Sequence, residues 1–393
     1  MMINPSRIFI FCGEQSSDAY GALIAKELYY RRPDLSITGV GGPHLKNAGV
    51  SILRDNSDLA IVGFWEAVKH YFKFRKLMNE VVRHIQNEQV SVVVLIDYPG
   101  FNLRLAKRLK HLPVKVVYYI SPQLWAWGKG RLREMKKLIH HMIVIFEFEK
   151  KIYQDMAIPV TFVGHPLMDL FDPFLSTGEI KAFIQRKEEC PLIGFLPGSR
   201  HTEVSRLLPV FCSSMVLLKK KIPDIQFVIS ASSKEREQEI LAITAPFFRM
   251  HDLEPVPVFS NDVNQIMKES TIVVVASGTA SFQTALHAKP MVVVYRMGFI
   301  SYWITRLLIQ VKNIAMVNII AEKTIVPELV QDSCNPERIT EEVSHLIENG
   351  RAYRETVFEL DQLKEKIGYA GASERASEVI LRILNETQDD QSV

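Results

Sequence analysis

Cysteine is scarce: four in 393 residues, Cys12, Cys190, Cys212 and Cys334, far apart and without a C-x-x-C pair. That excludes a disulfide framework and a cysteine zinc site, and a reducing compartment is the simpler reading. The 11 histidines show no H-E-x-x-H or similar spacing, so no metal site is expected. No apolar run approaches the ~20 residues that cross a bilayer; the longest, Phe299 to Val311, is interrupted by Arg306. The start Met1-Met2-Ile3-Asn4-Pro5 lacks the basic opening and apolar stretch of a signal peptide. A cytoplasmic protein, soluble or peripheral on a membrane, is expected. Neither G-x-G-x-x-G nor the Walker sequence occurs, so a dinucleotide fingerprint and P-loop ATP hydrolysis are not indicated. No cofactor and no nucleic-acid partner are expected. Internal repeats and low-complexity segments are absent too.

What is present is ordinary for a globular protein: 47% apolar and 23% charged residues, enough for two or three domains. The net charge of +3 hides an asymmetry. Through His165 there are 23 basic and 14 acidic residues; the remainder carries 24 and 30. The first half therefore faces something anionic more plausibly than the second.

Short β-branched runs alternate with amphipathic stretches. Arg7–Cys12, Val90–Ile96, Val114–Ile120, Met142–Phe146 and Val160–Val163 read as buried strands, with helical patterns such as Ala19–Tyr30 and Leu103–Lys110 between them. The rhythm restarts with Leu192–Leu196, Ile225–Ile229, Thr271–Val275 and Met291–Tyr295. Continuous apolar strands separated by helices predict parallel sheets covered on both faces, hence two doubly wound α/β domains. The turn-rich stretch from Gly164 to about Lys187 is the expected connector. The expected division is 1–170, 188–365 and a C-terminal helix with tail, 366–393. That last piece packs back on the first domain or on a partner chain, so a homodimer is admitted. Only helices are read after Asn335, and the polar end Glu386–Val393 is expected to be disordered.

In open α/β sheets ligands sit beyond the carboxyl ends of the strands, and two such edges can face a common cleft. The motifs fall there. After the first strand, Gly13-Glu14-Gln15-Ser16-Ser17-Asp18 opens a helix with free N–H groups and hydroxyls, or simply caps it. Asp97 follows the strand ending at Ile96, where partial desolvation raises a carboxylate towards a useful base; capping of the next helix or pairing with an arginine is the alternative. The loop Ser121 to Gly128 holds Trp125 and Trp127 beside Lys129, Arg131 and Arg133, suited to a sugar, a base or an acyl chain, or to core packing. Leu196-Pro197-Gly198-Ser199-Arg200 and Ala276-Ser277-Gly278-Thr279-Ala280-Ser281 are small-residue turns opening helices, which together suit a diphosphate. In Phe64–Met78, Trp65, Val68, Tyr71 and Phe72 share one helical face and Lys69, Lys73 and Lys76 another. That pattern fits a helix lying on an anionic bilayer surface or a half-buried surface helix, with Phe299–Ile304 a less basic second candidate.

Together these words resemble the lipid-A-disaccharide synthase family: Gly13-Glu14 with Ser17-Asp18, Val40-Gly41-Gly42-Pro43, Gly63-Phe64-Trp65-Glu66, Ile96-Asp97 with Pro99 and Phe101-Asn102, Ser121 to Trp127, Phe162 to Pro166, Leu196 to Arg200, Ala276 to Ala280, Tyr295-Arg296-Met297 and Asn318-Ile319-Ile320. Their order spans about residues 6–385. The resemblance implies a metal-independent, inverting glycosyltransferase of the two-Rossmann (GT-B) type. It would join UDP-2,3-diacylglucosamine to 2,3-diacylglucosamine 1-phosphate, giving a β-1,6-linked disaccharide 1-phosphate and UDP on the cytoplasmic face of the inner membrane. By position in the family words, Asp97 is the base for the acceptor 6-hydroxyl, with Glu14 the next carboxylate. Gly198, Ser199, Arg200, Ser277, Gly278, Thr279, Ala280, Gln283, Arg296 and Asn318 fall on the UDP side. Ser16, Ser17, Asp18, Trp65, Lys69, Phe72, Lys73, Lys76 and Trp125 fall on the acceptor, lipid and membrane side.

Three positions depart from the family pattern. Its first turn reads Gly-Glu-x-Ser-Gly-Asp, so Ser16 stands at the serine and Ser17 at the second glycine. Gly100 replaces the aspartate of Pro-Asp-Phe-Asn. Gln283 replaces a glutamate and accepts hydrogen bonds less strongly, which predicts weaker donor binding with the chemistry retained. Another UDP-sugar enzyme of this fold, such as a UDP-GlcNAc 2-epimerase or the transferase making the peptidoglycan lipid intermediate, is the alternative within enzymes. A catalytically weak lipid- or nucleotide-binding homologue is the alternative outside them.

Overall fold

The computed structural model of the chain describes residues 6–56, 64–122, 129–296 and 313–392. They fall into two compact units, Met1–Leu170 with Ile367–Val393, and Phe171–Lys366. Each unit is built on a wholly parallel sheet. The first holds β1 (Arg7–Cys12), β2 (Ser36–Gly41), β3 (Ser51–Asp55), β4 (Val92–Ile96), β5 (Lys115–Tyr119), β6 (His141–Val144) and β7 (Val160–Phe162), in the order β3-β2-β1-β4-β5-β6-β7. The second holds β8 (Leu192–Leu196), β9 (Gln226–Ser230), β10 (Val258–Phe259), β11 (Ile272–Ala276), β12 (Met291–Tyr295) and β13 (Glu328–Val330), in the order β10-β9-β8-β11-β12-β13. This is the doubly wound α/β class expected above.

Both orders reverse at one place. The chain winds outward from β1 through β3, then returns to lay β4 on the other side of β1; β8 and β11 repeat the pattern. At such a reversal the connections leave in opposite directions, which opens a crevice beyond the strand ends. The loops after β1 and β4, and after β8 and β11, border those crevices.

The central strands form because they are apolar on both faces: every residue of β4, β8 and β11 is buried. Helix His201–Lys221 covers the second sheet with Val204, Leu207, Leu208, Phe211 and Met215, apolar at three- and four-residue steps. Each such side chain stabilises the fold by about 1.5–3 kcal/mol on burial.

Four strands, β2, β3, β10 and β13, were not among the expected ones, and for two of them the physical reason is plain. β2 carries glycine because a Cβ at Gly39 would run into the Ile10 carbonyl of β1. β3 is an edge with Ser51, Arg54 and Asp55 exposed, so it shows no apolar run. The C-terminal end also differs from expectation. Helix Ala372–Ser392 continues through the polar stretch, and Ile383, Leu384 and Thr387 are buried along it. Its start is held by Asp169, whose carboxylate accepts the N–H groups of Gly371 (2.5 Å), Ala372 (3.1 Å) and Ser373 (2.8 Å). Arg31 pairs with Glu374 and Glu378 one turn further on. Trp125, Trp127 and Phe299–Ile304 lie outside the described residues, as do the side chains of Trp65, Lys69 and Phe72 in helix Phe64–Asn87.

Candidate functional site

At the end of β4 the backbone does something costly. Asp97 and Tyr98 are consecutive non-glycine residues with φ of 49° and 46°. Left-handed backbone costs roughly 1–2 kcal/mol for each such residue, and strain of this kind collects where function requires it. Several contacts maintain it. The Asp97 N–H donates to Tyr119 O on β5 (2.9 Å), and the Phe101 and Asn102 N–H groups donate to Tyr98 O (3.2 and 3.1 Å). The Tyr98 ring lies against Gly13, where a Cβ would collide with it, and stacks with Phe74 at 6.4 Å. A glycine after β1 thus makes room for the turn after β4.

The result is a carboxylate at the mouth of the sheet. Burial, then the charge of Glu14, pushes the Asp97 carboxyl up to about 6, against a smaller opposing effect of the Tyr98 N–H. The same carboxylate helps to push up the Tyr20 and Tyr118 hydroxyls, after their own burial. Asp97 is therefore largely ionised near neutrality yet basic enough to take a proton.

The loop after β1 divides its polar groups between inside and outside. The Ser17 hydroxyl accepts from the Glu14 N–H (2.9 Å) and donates to the Glu14 carbonyl (2.8 Å), and Ser17 is 1% exposed. Asp18, also 1% exposed, accepts from the N–H groups of Gly42 (2.6 Å), His44 (2.9 Å) and Leu45 (3.2 Å). It ties the end of β2 to the first helix, Gln15–Arg31. Both side chains are spent within the protein, whereas Ser16 and Glu14 remain partly exposed.

In the second unit β8, β11 and β12 are neighbours, so the loops after them lie side by side. Gly198 has φ of 98°, and Ser199 and Arg200 are exposed just before helix His201–Lys221. Glu203 turns back onto this loop. Its carboxylate accepts from the N–H groups of Ser199 (3.2 Å) and Arg200 (3.3 Å) and pairs with the Arg200 guanidinium (3.4 Å). The loop thus already binds an anionic group, one of its own. Burial, then Glu203, push up the hydroxyl of Tyr295, which closes β12, and Arg200 and Arg206 oppose them. Arg296 follows it, partly exposed, near enough to the buried Cys334 to oppose the upward push of burial on that thiol.

After β11, Ser277 is partly exposed and Gly278 and Thr279 are exposed, with Gly278 at φ of 150° and open space where a Cβ would stand. The Ser281 hydroxyl donates to the Gly278 carbonyl (2.7 Å) and closes the turn. Ala280 and Gln283 are partly exposed. Asn318 is engaged within the protein. It is fully buried, donates to Val326 O (2.9 Å) and Glu328 Oε1 (2.6 Å), and accepts from the Ile325 (2.8 Å) and Val326 (3.0 Å) N–H groups. Its amide is engaged by the chain from Ile325 to Glu328. Lys73 and Lys76 are exposed on helix Phe64–Asn87. Among the described residues no group of three or more His, Cys, Asp or Glu could hold a metal ion.

Sequence reasoning missed Glu203 and Tyr118. The Arg-x-x-Glu spacing at a helix start was the available signal for the first. Tyr118 sits inside an apolar strand and gives no signal of its own.

A family model described as lipid-A-disaccharide synthetase matches residues 8–381. The lipid-A-disaccharide synthase of Trichlorobacter lovleyi is 34% identical over 386 residues, covering 98% of this chain and 99% of that protein. That of Geobacter metallireducens is 37% identical over 380 residues, covering 97% and 98%. In fold, the chain is similar to the crystal structure of UDP-GlcNAc 2-epimerase from Neisseria meningitidis bound to UDP-GlcNAc. There the TM-score is 0.65 and the identity 14%, with 96% of this chain and 100% of that one covered.

Proposed function

The chain belongs to the lipid-A-disaccharide synthetase family and is a glycosyltransferase; we propose that Asp97 is the general base of its reaction and that the loops after β8, β11 and β12 hold the donor. In this reading the acceptor is 2,3-diacylglucosamine 1-phosphate and the donor UDP-2,3-diacylglucosamine. Asp97 takes the proton of the acceptor 6-hydroxyl as its oxygen bonds to the donor anomeric carbon. The bond from that carbon to the diphosphate breaks on the opposite face, its electron pair leaves with UDP, and configuration inverts. Arg200, Arg206 and the N–H groups of Ser199, Arg200 and Thr279 neutralise the charge gathering on the leaving diphosphate. The observation that carries the assignment is the carboxyl raised to about 6 on the left-handed turn after β4.

Mixing the chain with both acylated sugars should release UDP and disaccharide 1-phosphate in equal amounts, with neither sugar sufficient alone. Conversion of the UDP-sugar alone would point to an epimerase. Binding without turnover would point to a carrier.

The acyl chains of both substrates reside in a bilayer, and among the described residues no helix is long and apolar enough to cross one. We place the contact on the cytoplasmic face of the inner membrane, through helix Phe64–Asn87. Lys69, Lys73 and Lys76 each contribute about 1 kcal/mol at an anionic surface. Changing all three to Glu is expected to abolish sedimentation with anionic vesicles at low salt, while activity on detergent-dispersed substrate falls much less. Retained sedimentation would move the contact elsewhere, with Phe299–Ile304 the next candidate.

A further inference from the structure

The carbonyl of Asp97 is engaged as specifically as its carboxylate. At this residue β4 ends. Its N–H still donates to β5, while its carbonyl takes donors from two side chains. A carbonyl withdrawn from water is unfavourable without a donor, and on this part-buried one two donors converge. The Tyr118 hydroxyl donates to it at 2.6 Å, reaching from β5. The Asn102 Nδ2 donates at 2.7 Å from helix Pro99–Leu109 and reaches Ile96 O at 3.2 Å. Tyr118 and Asn102 are each 0% exposed, so neither offers a surface to a substrate. Titratable groups around the same carboxylate are Glu14 after β1, Tyr20 on the first helix and Tyr118 itself.

We infer that Tyr118 and Asn102 are positioning residues that hold the Asp97 peptide in its left-handed conformation and so aim the carboxylate out of the sheet. The inference rests on the reading of Asp97 as the base. A hydroxyl and an amide from separate elements fix one oxygen from two directions, which restrains rotation of the peptide more than either alone. Satisfying that carbonyl would be their whole role if they were only structural, and then catalysis would not feel them through Asp97.

The test uses the full chain with both acylated sugars. Tyr118→Phe removes one donor and keeps the ring; Asn102→Ser removes the other. Each is expected to lower kcat by roughly 10- to 100-fold, the cost of a slightly misplaced catalytic group, with KM for either sugar changed by about twofold or less. In an Asp97→Asn background the same changes should alter the residual rate by about twofold or less, since no base remains to be aimed. Parental kcat in both single variants would overturn the inference, and so would an undiminished loss in the Asp97→Asn background. Should Tyr118→Phe fail to fold, Asn102→Ser alone decides. Failure of the base assignment is seen separately, as near-parental turnover in Asp97→Asn with Tyr118 and Asn102 intact.

Discussion

Asp97→Asn is expected to lower turnover by roughly 10²–10⁴-fold while leaving UDP affinity within about twofold of the parent. The amide keeps the size and hydrogen-bonding shape of the side chain but cannot accept a proton in the transition state. UDP affinity should be spared because the loops proposed to hold the donor belong to the second unit. The pH profile supplies a second readout. A base must be ionised, and this carboxyl is raised to about 6 by burial and by Glu14, in that order. The rate should therefore fall as pH drops through about 6, well above the ordinary aspartate near 4. Glu14→Gln removes the second cause and should move the acid limb downward, only part of the way, because burial persists. Near-parental turnover in Asp97→Asn would remove Asp97 from the mechanism and make Glu14 the next carboxylate to test.

What could be read without the structure followed from how each residue is used. β4, β8 and β11 declare themselves because both faces are buried and every position must be apolar. The edge strand β3 meets solvent and so resembles a loop. At the site, Asp97 was legible as a carboxylate ending an apolar strand, but the left-handed pair was not, since neither residue is glycine. Asp18 and Asn318 show the converse. Asp18 sits in a polar word and Asn318 is a lone amide in an apolar one, both near helix starts, where a ligand contact is a natural reading. Whether their capacity is already spent depends on partners elsewhere, such as Gly42 and Leu45 for Asp18, and that is a matter of folding. Ser17 was equally ambiguous, since its hydroxyl closes on its own turn.

Arg200→Ala is expected to weaken UDP binding by about 1.5–3 kcal/mol, some 10- to 150-fold, if its guanidinium makes a charge-assisted bond to the diphosphate. The loss should appear in binding and not in stability. The Arg200 and Glu203 side chains are 55% and 28% exposed, and an ion pair this open to water is worth about 1 kcal/mol at most. Glu203 adds to the effect from the other side. Its carboxylate accepts from the Ser199 and Arg200 N–H groups, which an incoming diphosphate would claim. With Arg200 gone, that negative charge stays beside the nucleotide without its cation, so repulsion compounds the missing bond. Glu203→Gln in the Arg200→Ala background should therefore recover part of the affinity, because the amide still accepts from the loop but carries no charge. Calorimetry would read both. Unchanged UDP affinity in Arg200→Ala would take the diphosphate off this loop and leave the turn at Ser277–Thr279 as its holder. No recovery with Glu203→Gln would mean that the carboxylate already moves aside when the nucleotide binds.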